Sequence, residues 1–247
     1  MKNALITICT ASLLAVLNTS AQGATEIGKA ESIDRSVVAN NSRQLGNNSA
    51  IFSNERLRSN QSGLGHFRFN DGTKMVIGPD SNIVLDENIY NPNQSKFSKF
   101  VLKASSGATR FISGSSQSSV YEISTPAGVL GVRGTAFDFR HWRGRTYLML
   151  FEGSVEICSQ TGTCRTLRRK CDFVVVEPDG RVSRPTQPRN GIFEARDMEF
   201  YFPFVNNQSG LDGDYRLRVN SCAGGAANSG FGGGGDGSSG PSGGDTQ

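Results

Sequence analysis

The sequence predicts an all-β fold, either an antiparallel sandwich or a solenoid-like module of short strands, with a short C-terminal helix and a disordered Gly-rich tail. Between Leu64 and Val182, short β-prone pieces alternate with turn formers such as Asp71-Gly72 and Pro178–Gly180. Three consecutive valines at 174–176 favour a strand, because β-branched side chains fit a pleated sheet. The chain also holds 30 glycines, which are unfavourable inside helices. No exact internal repeat distinguishes the solenoid from the sandwich.

Residues 1–23 are predicted to form a signal peptide that is removed on export. Lys2 supplies the positive charge, Ala4–Leu17 is an uncharged apolar run, and small residues follow near Ala21 or Gly23. The apolar run is shorter than the roughly 20 residues that a membrane-spanning helix needs. A buried N-terminal helix is the alternative. No second hydrophobic run follows, so we expect a periplasmic or secreted protein without a transmembrane segment.

The rest of the chain divides by composition. We expect a polar lead-in of loop or weak order, a β domain, a C-terminal extension and a disordered Gly/Ser-rich tail, at 24–62, 63–185, 186–222 and 223–247. The extension contains the apolar run Ile192–Phe204, which predicts one short helix closed by Pro203. The tail cannot bury enough surface to offset the entropy of ordering it.

Four cysteines lie outside the apolar N-terminal run, and an even count in an exported protein favours disulfides. We expect Cys158–Cys164 across a tight hairpin, and Cys171–Cys222 between the β domain and the C-terminal extension. The alternative is a zinc site, but five residues separate Cys158 from Cys164, a spacing outside the usual range for paired ligands. We therefore predict no metal and no cofactor.

The stretch STPAGVLGVRGTAFDF, Ser124–Phe139, carries three evenly spaced glycines. It is not predicted to bind a nucleotide, because the glycine spacing differs from a dinucleotide loop and the following residues alternate as in a strand. It is better explained as β scaffold, with glycines where the backbone turns or approaches a neighbour closely. The charged end of Arg133 would then either reach solvent or pair with a carboxylate, and Asp138 and Glu152 are the candidate partners.

This stretch resembles the hallmark segment of the FecR domain family. The matching residues are Thr125, Pro126, Gly128, Gly131, Val132, Arg133, Gly134, Thr135 and Phe137. Two flanking pieces, Asp71–Leu85 and Tyr147–Ile157, resemble the opening and closing strands of the same family. The likeness covers about 64–157, and related strands are expected as far as Val182.

The resemblance implies a periplasmic all-β module that binds another protein or an envelope component. Family members in iron-uptake signalling join a cytoplasmic sigma-factor-binding segment, a membrane helix and a periplasmic sensing part. The predicted signal peptide departs from that plan, so only the periplasmic part of the role carries over. We therefore expect an envelope-sensing or protein-binding module that is not an enzyme. The alternative is a cell-envelope structural or glycan-associated protein.

No residue pattern predicts catalysis. His66 and His141 lack a nearby nucleophile motif and are expected at the surface or at strand edges. The four carboxylates weighed for acid–base chemistry are expected to have structural roles in turns: Asp71, Asp80, Asp86 and Asp138.

Two basic runs, Arg140–Arg145 and Arg165–Lys170, are expected to be solvated hairpin tips. Alternatively they form a positive face, where Trp142 could stack on a ligand. The net charge of +4 does not require nucleic acid, and an unidentified envelope protein or polymer is the expected partner.

Overall fold

The structure is a computed structural model that describes residues 24–188 and 195–223. The signal-peptide prediction, the first residues of the predicted helix and nearly all of the tail lie outside the described residues. The described elements are β1 (Glu26–Ile33), β2 (Val37–Ala39), β3 (Arg43–Gln44), β4 (Ser49–Phe52), β5 (Glu55–Ser59), β6 (Gly65–Phe69), β7 (Lys74–Ile77), β8 (Asn82–Leu85), β9 (Ile89–Asn91), β10 (Lys96–Ile112), β11 (Tyr121–Thr125), β12 (Gly128–Trp142), β13 (Arg145–Ser159), β14 (Cys164–Leu167), β15 (Phe173–Val176), α1 (Ala195–Tyr201) and α2 (Pro203–Asn206).

The strands form one curled sheet, and the all-β prediction is confirmed. Its main order is β14-β13-β12-β11-β10-β7-β6-β1-β4, while β2, β3, β5, β8, β9 and β15 pair off this path. The pairs are antiparallel apart from β10–β11. The long strand β10 joins the two halves of the sheet, because its first half pairs with β8, β9 and β11 and its second half with β7 and β12.

Three strands are much longer than the short pieces that the turn signals predicted. β10 has 17 residues, and β12 and β13 have 15 each. Glycines bend these strands instead of ending them: Gly107, Gly134 and Gly153 all have positive φ values. A Cβ on Gly153 would lie 2.1 Å from the carbonyl oxygen of Gly134, so the β12–β13 hairpin bends where the two backbones cross closely.

The curled sheet encloses an aromatic core. Phe100 contacts Phe69 and Tyr121 with ring centroids 4.9 and 5.7 Å apart, and Phe111 contacts Phe137 at 5.5 Å. These rings come from the concave faces of β6, β10, β11 and β12. Phe137 therefore packs in the core, on the opposite side of β12 from Asp138, as expected for neighbouring residues in a strand.

The expectation of a loop or weakly ordered lead-in over 24–62 is wrong, since β1 to β5 lie there. β1 pairs with β6, so this segment belongs to the same sheet as the FecR-like strands. Some of its buried residues lie singly between polar ones, such as Leu57 between Arg56 and Arg58, and no long apolar run marked the strands. Several of its asparagines, including Asn48 and Asn54, adopt positive φ and make the tight turns.

The C-terminal extension covers the outer face of the sheet, and we call residues 195–223 the C-terminal cover. The single predicted helix is two short ones, because α1 ends before Pro203 and α2 begins there. Met198, Phe202 and Val205 pack against an apolar patch that includes Met149 and Phe151. None of the helices among the described residues is long and apolar enough to cross a membrane.

Candidate functional site

The hallmark segment divides its side chains between the core and the solvent. Along β12, Leu130 and Val132 are buried, whereas Val129, Gly131 and Arg133 face outward. The outward residues are one row of a surface that neighbouring strands continue: Glu122 on β11 and Glu156 on β13 lie on either side of Gly131. The part of the segment that is not used for packing is therefore a strip of exposed sheet.

The start of the segment is held by hydroxyl groups. The Thr125 side chain donates to the carbonyl oxygen of Gly128 at 3.1 Å and accepts from its N–H at 3.2 Å, around the turn that contains Pro126. The Thr125 and Thr146 hydroxyls also lie 2.7 Å apart. A Cβ on Gly128 would lie 2.4 Å from the carbonyl oxygen of Cys158, so the strands touch here. These motif residues are structural.

A polar groove crosses the exposed strip, with a volume of about 710 Å³. We call it the motif groove, and it is lined by Ser118, Ser119, Tyr121, Gly131, Val132, Arg133, Ser154, Glu156, Thr166 and Arg168. No atom lies within 4 Å of where a Gly131 Cβ would be. The absence of a side chain at Gly131 thus keeps the floor of the groove open and is not required by packing.

The motif groove is lined by both positive and negative side chains, and its tyrosine is held in place by a hydrogen bond. Arg133 and Arg168 are exposed, and Glu156 between them accepts a long hydrogen bond of 3.4 Å from the Thr166 hydroxyl. Tyr121 is buried and donates to Asp71 at 2.6 Å. Burial, followed by the Asp71 carboxylate, raises the pKa of Tyr121 to about 12, so this phenol stays protonated and acts as a structural donor.

The prediction that Arg133 pairs with Asp138 or Glu152 is wrong. Arg133 is exposed at the groove, and the bend at Gly134 separates it from Asp138, which points to the covered face and pairs with Arg110. Glu152 is exposed opposite Ala136. The sequence placed the arginine in an apolar strand but did not show that its side of the strand faces solvent.

Both histidines are buried, so their expected surface positions are wrong. His66 is 1% exposed, and neither ring nitrogen has a hydrogen-bond partner among the described residues. Its Nδ1 lies 3.7 Å from a carboxylate oxygen of Asp212 in the C-terminal cover. His141 Nδ1 lies 3.0 Å from the Thr146 hydroxyl. Burial lowers the pKa of both imidazoles.

Three of the four carboxylates weighed for acid–base chemistry have structural roles at turns, whereas Asp138 lies inside β12, so its predicted turn position is wrong. Asp71 accepts hydrogen bonds from the Thr73 N–H and the Ser116 hydroxyl, in addition to Tyr121. Asp80 occupies a left-handed turn position with φ of 55°. Asp86 lies 2.5 Å from the Lys103 ammonium group. The described residues hold no group of acids, histidines and cysteines that could bind a metal ion.

The predicted disulfide pairing is confirmed. Cys158 and Cys164 are direct cross-strand partners with Cα atoms 4.0 Å apart. Cys171 and Cys222 are joined over 51 residues, with Cα atoms 5.0 Å apart, and both are buried. The second disulfide fixes the end of the C-terminal cover to the sheet.

The two basic runs have different environments. In the first, Arg140 is buried with its guanidinium 4.0 Å from the Phe200 ring centroid, and Arg143 stacks on Trp142 at 4.4 Å. Arg145 pairs with Glu177 at 2.6 Å. In the second run, Arg168, Arg169 and Lys170 are exposed beside the motif groove. The second run alone supplies an open positive edge at this site.

The strands around the groove correspond to a known family. Residues 55–156 match the family model described as FecR protein. No curated protein matches the sequence. Two crystal structures of a candidate anti-sigma factor from Parabacteroides distasonis ATCC 8503 are similar, at 13% identity and TM-scores of 0.42 and 0.41. In both cases 52% of this chain is covered, and it spans 57% of the other chain.

The family match begins at the start of β5 and continues through most of β13. It contains the hallmark segment and the floor of the motif groove. The match begins before the start of the predicted β domain at residue 63 and ends before its last residue, 185. The bounds of that domain therefore stay a prediction. The match of residues 55–156 to the FecR family model is consistent with a FecR-domain protein.

Proposed function

We propose that this chain is a non-catalytic, protein-binding module that senses the state of the cell envelope, and that it uses the motif groove to bind. The observation that carries the proposal is the position of the outward half of the FecR hallmark. Gly131 and Arg133 support no packing, yet they form the floor and wall of an open groove of about 710 Å³. Surface residues without a packing role are available for recognition.

The groove's chemistry favours binding over catalysis. Its tyrosine is held protonated by burial and by Asp71, and its remaining polar groups are serine and threonine hydroxyls, two guanidiniums and one carboxylate. Among the described lining residues there is no histidine or cysteine that could act as base or nucleophile. Oppositely charged groups on a rigid sheet suit a complementary protein surface.

An extracytoplasmic location is consistent with this role. Two disulfides require an oxidising compartment to persist. The predicted signal peptide would deliver the chain there. Sensing at the envelope then consists of binding a second protein, whose presence or conformation is the signal.

The test is site-specific photo-crosslinking in cells that express the protein. A photo-reactive amino acid replaces Ser154 in the groove, and a matched control replaces Asn93 in an exposed turn on the far side of β10. We expect a discrete protein adduct from position 154 and none from position 93. Adducts with wall polymer alone would instead support the structural or glycan-associated alternative, and equal labelling from both positions would remove the groove from the proposal.

A further inference from the structure

Strand β14 is an open edge beside the motif groove. It pairs with β13 on one side, and no other described strand pairs with it. Ser159 N–H donates to Thr163 O at 2.9 Å, which identifies a hydrogen-bonded pair at the hairpin end. Because such pairs alternate along an antiparallel ladder, the N–H and C=O groups of Cys164 and Thr166 point away from β13.

The chain itself covers only part of this edge. The Arg165 guanidinium donates to the outward carbonyl of Cys164 at 2.9 Å. The N–H and C=O of Thr166 have no backbone partner among the described residues. The Cys158–Cys164 disulfide holds the strand in register, so these groups are presented in a fixed position. An edge with free donors and acceptors is a template for one more strand.

The charge of the edge selects its occupant. Residues 164–170 contain Arg165, Arg168, Arg169 and Lys170 and no acidic residue. Only Arg169 forms an ion pair within the described chain, with Asp172 at 3.2 Å. A second copy pairing edge to edge would bring two such basic strands together, and like charges on adjacent strands repel. An acidic strand would be attracted.

The edge is continuous with the groove. Thr166 and Arg168 line the motif groove from its β14 side. In a strand added beside β14, the residue opposite Thr166 projects its side chain on the groove face, because paired residues share a face. A carboxylate at that position can reach Arg168. A second carboxylate, two residues along the added strand, would lie on the same face beside the basic residues 168–170.

We infer that β14 is the docking edge for an extended, acidic segment of a partner protein, which adds a strand to the sheet and directs acidic side chains over the groove rim. This inference rests on the proposed function, since it names the chemistry of the partner that the groove would bind.

The test uses the full chain and a displayed library of random peptides about twelve residues long. Retained peptides should be rich in Asp and Glu at alternating positions and poor in Pro. Thr166→Pro removes the outward N–H without taking a bond from the β13 ladder, a substitution that edge strands tolerate. It should weaken binding of a selected peptide at least about tenfold. Arg168→Glu, at an exposed side chain, should do the same.

The matched control for the change of charge is Arg58→Glu, at an exposed arginine on β5 that does not line the motif groove, and it should bind as the unchanged chain does. Circular dichroism checks that all three variants fold. The inference is overturned if no peptide is retained, if retained peptides lack acidic residues, or if Thr166→Pro binds equally well. Polyphosphate binding that is lost in Arg168→Glu but kept in Thr166→Pro would make the edge a polyanion site, which also overturns it.

The outcome is separable from that of the proposed function. A protein adduct from position 154 that forms equally in the Thr166→Pro chain would leave the groove as a binding site and reject strand addition. Loss of that adduct in Thr166→Pro, with retention in Arg58→Glu, would support both.

Discussion

Arg110 and Asp138 form a bidentate ion pair inside the protein, with Nε–Oδ1 and Nη2–Oδ2 distances of 2.7 and 2.9 Å. The Arg110 side chain is 0% exposed. Its remaining N–H groups donate to the Gln208 side chain and to the carbonyl oxygens of Phe204 and Tyr215. One guanidinium thus joins β10 and β12 to the C-terminal cover. Burial raises the pKa of the Asp138 carboxyl, and Arg110 acts in the opposite direction.

Removing one partner of this pair should be strongly destabilising. Asp138→Ala leaves the Arg110 charge buried without a counter-ion, which typically costs about 3–5 kcal/mol. The measurement is urea unfolding followed by circular dichroism, and the variant should unfold at a much lower urea concentration. The control is Glu87→Ala, which breaks an exposed ion pair with Lys99 and should not move the midpoint.

The double variant Arg110→Met with Asp138→Leu shows whether the loss of stability comes from the unpaired charge or from the lost hydrogen bonds to the C-terminal cover. If the cost arises from the uncompensated charge, the double variant should be more stable than Asp138→Ala alone. A double variant that is less stable would indicate that the bonds from Arg110 to the C-terminal cover matter more than charge burial.

Stability should fall as the solution becomes mildly acidic. Burial lowers the pKa of His66 and His141 below the ordinary value of about 6.5. The unfolded chain therefore binds protons at a higher pH than the folded one, so stability is full above about pH 6.5 and declines as the pH falls below it. For His66, Asp212 acts against this shift, and Glu31 and Asp34 do so more weakly.

Urea midpoints measured between about pH 5 and 7.5 test this dependence. We expect His66→Gln to flatten the curve, because glutamine does not titrate, and His141→Gln to flatten it further. Surface substitutions should leave the slope unchanged. A slope that survives in the double histidine variant would place the pH dependence in the carboxylates instead.

The two disulfides should differ in both energy and accessibility. In the chain-entropy account, a loop of 51 residues gives about 4 kcal/mol and a loop of 6 about 2 kcal/mol. Cys171→Ser with Cys222→Ser should therefore destabilise the protein more than Cys158→Ser with Cys164→Ser. Since Cys164 is exposed and Cys222 is buried, a mild reductant should open the short loop first.

Thiol labelling followed by mass spectrometry reads the order of reduction. Label should reach Cys158 and Cys164 under native conditions, and Cys171 and Cys222 only after denaturant is added. Simultaneous labelling of all four would show that the C-terminal cover opens in the native state.

Local patterns in the sequence predicted the β class and the Cys158–Cys164 pairing, because strand alternation and a short hairpin loop depend on neighbouring residues. The partner of Arg110 was not predictable in this way: Asp138 is 28 residues distant and Gln208 is 98. The strands within 24–62 were missed because they are stabilised by pairing with β6 and not by a strong local pattern. For Arg133, the bend at Gly134 determines which side of the sheet the side chain faces. A glycine in the sequence does not show whether a strand ends or bends at that position.

Gly131 in the hallmark and Gly153 on β13 should have different roles. Gly153 opposes Gly134 at the bend with φ of 73°, and its added Cβ would overlap a carbonyl oxygen at 2.1 Å. Gly153→Ala should therefore lower the free energy of unfolding by at least about 1–2 kcal/mol, because alanine is strained in the left-handed backbone conformation. The steric overlap should add to this loss. Gly131 has no atom within 4 Å of its Cβ position, so Gly131→Ala should change stability by less than about 0.5 kcal/mol.

Binding should depend on Gly131 and not on Gly153, the reverse of the effect on stability. Gly131→Phe places a ring on the floor of the motif groove, and it should abolish the position-154 crosslink while the urea midpoint stays near that of the unchanged chain. Gly153→Ala, studied at a temperature where it is folded, should keep the crosslink because the groove floor is unaltered. If Gly131→Phe unfolds the protein, packing requires the glycine, contrary to the open space seen at its Cβ position. If it folds and still crosslinks, the partner binds the sheet without entering the groove.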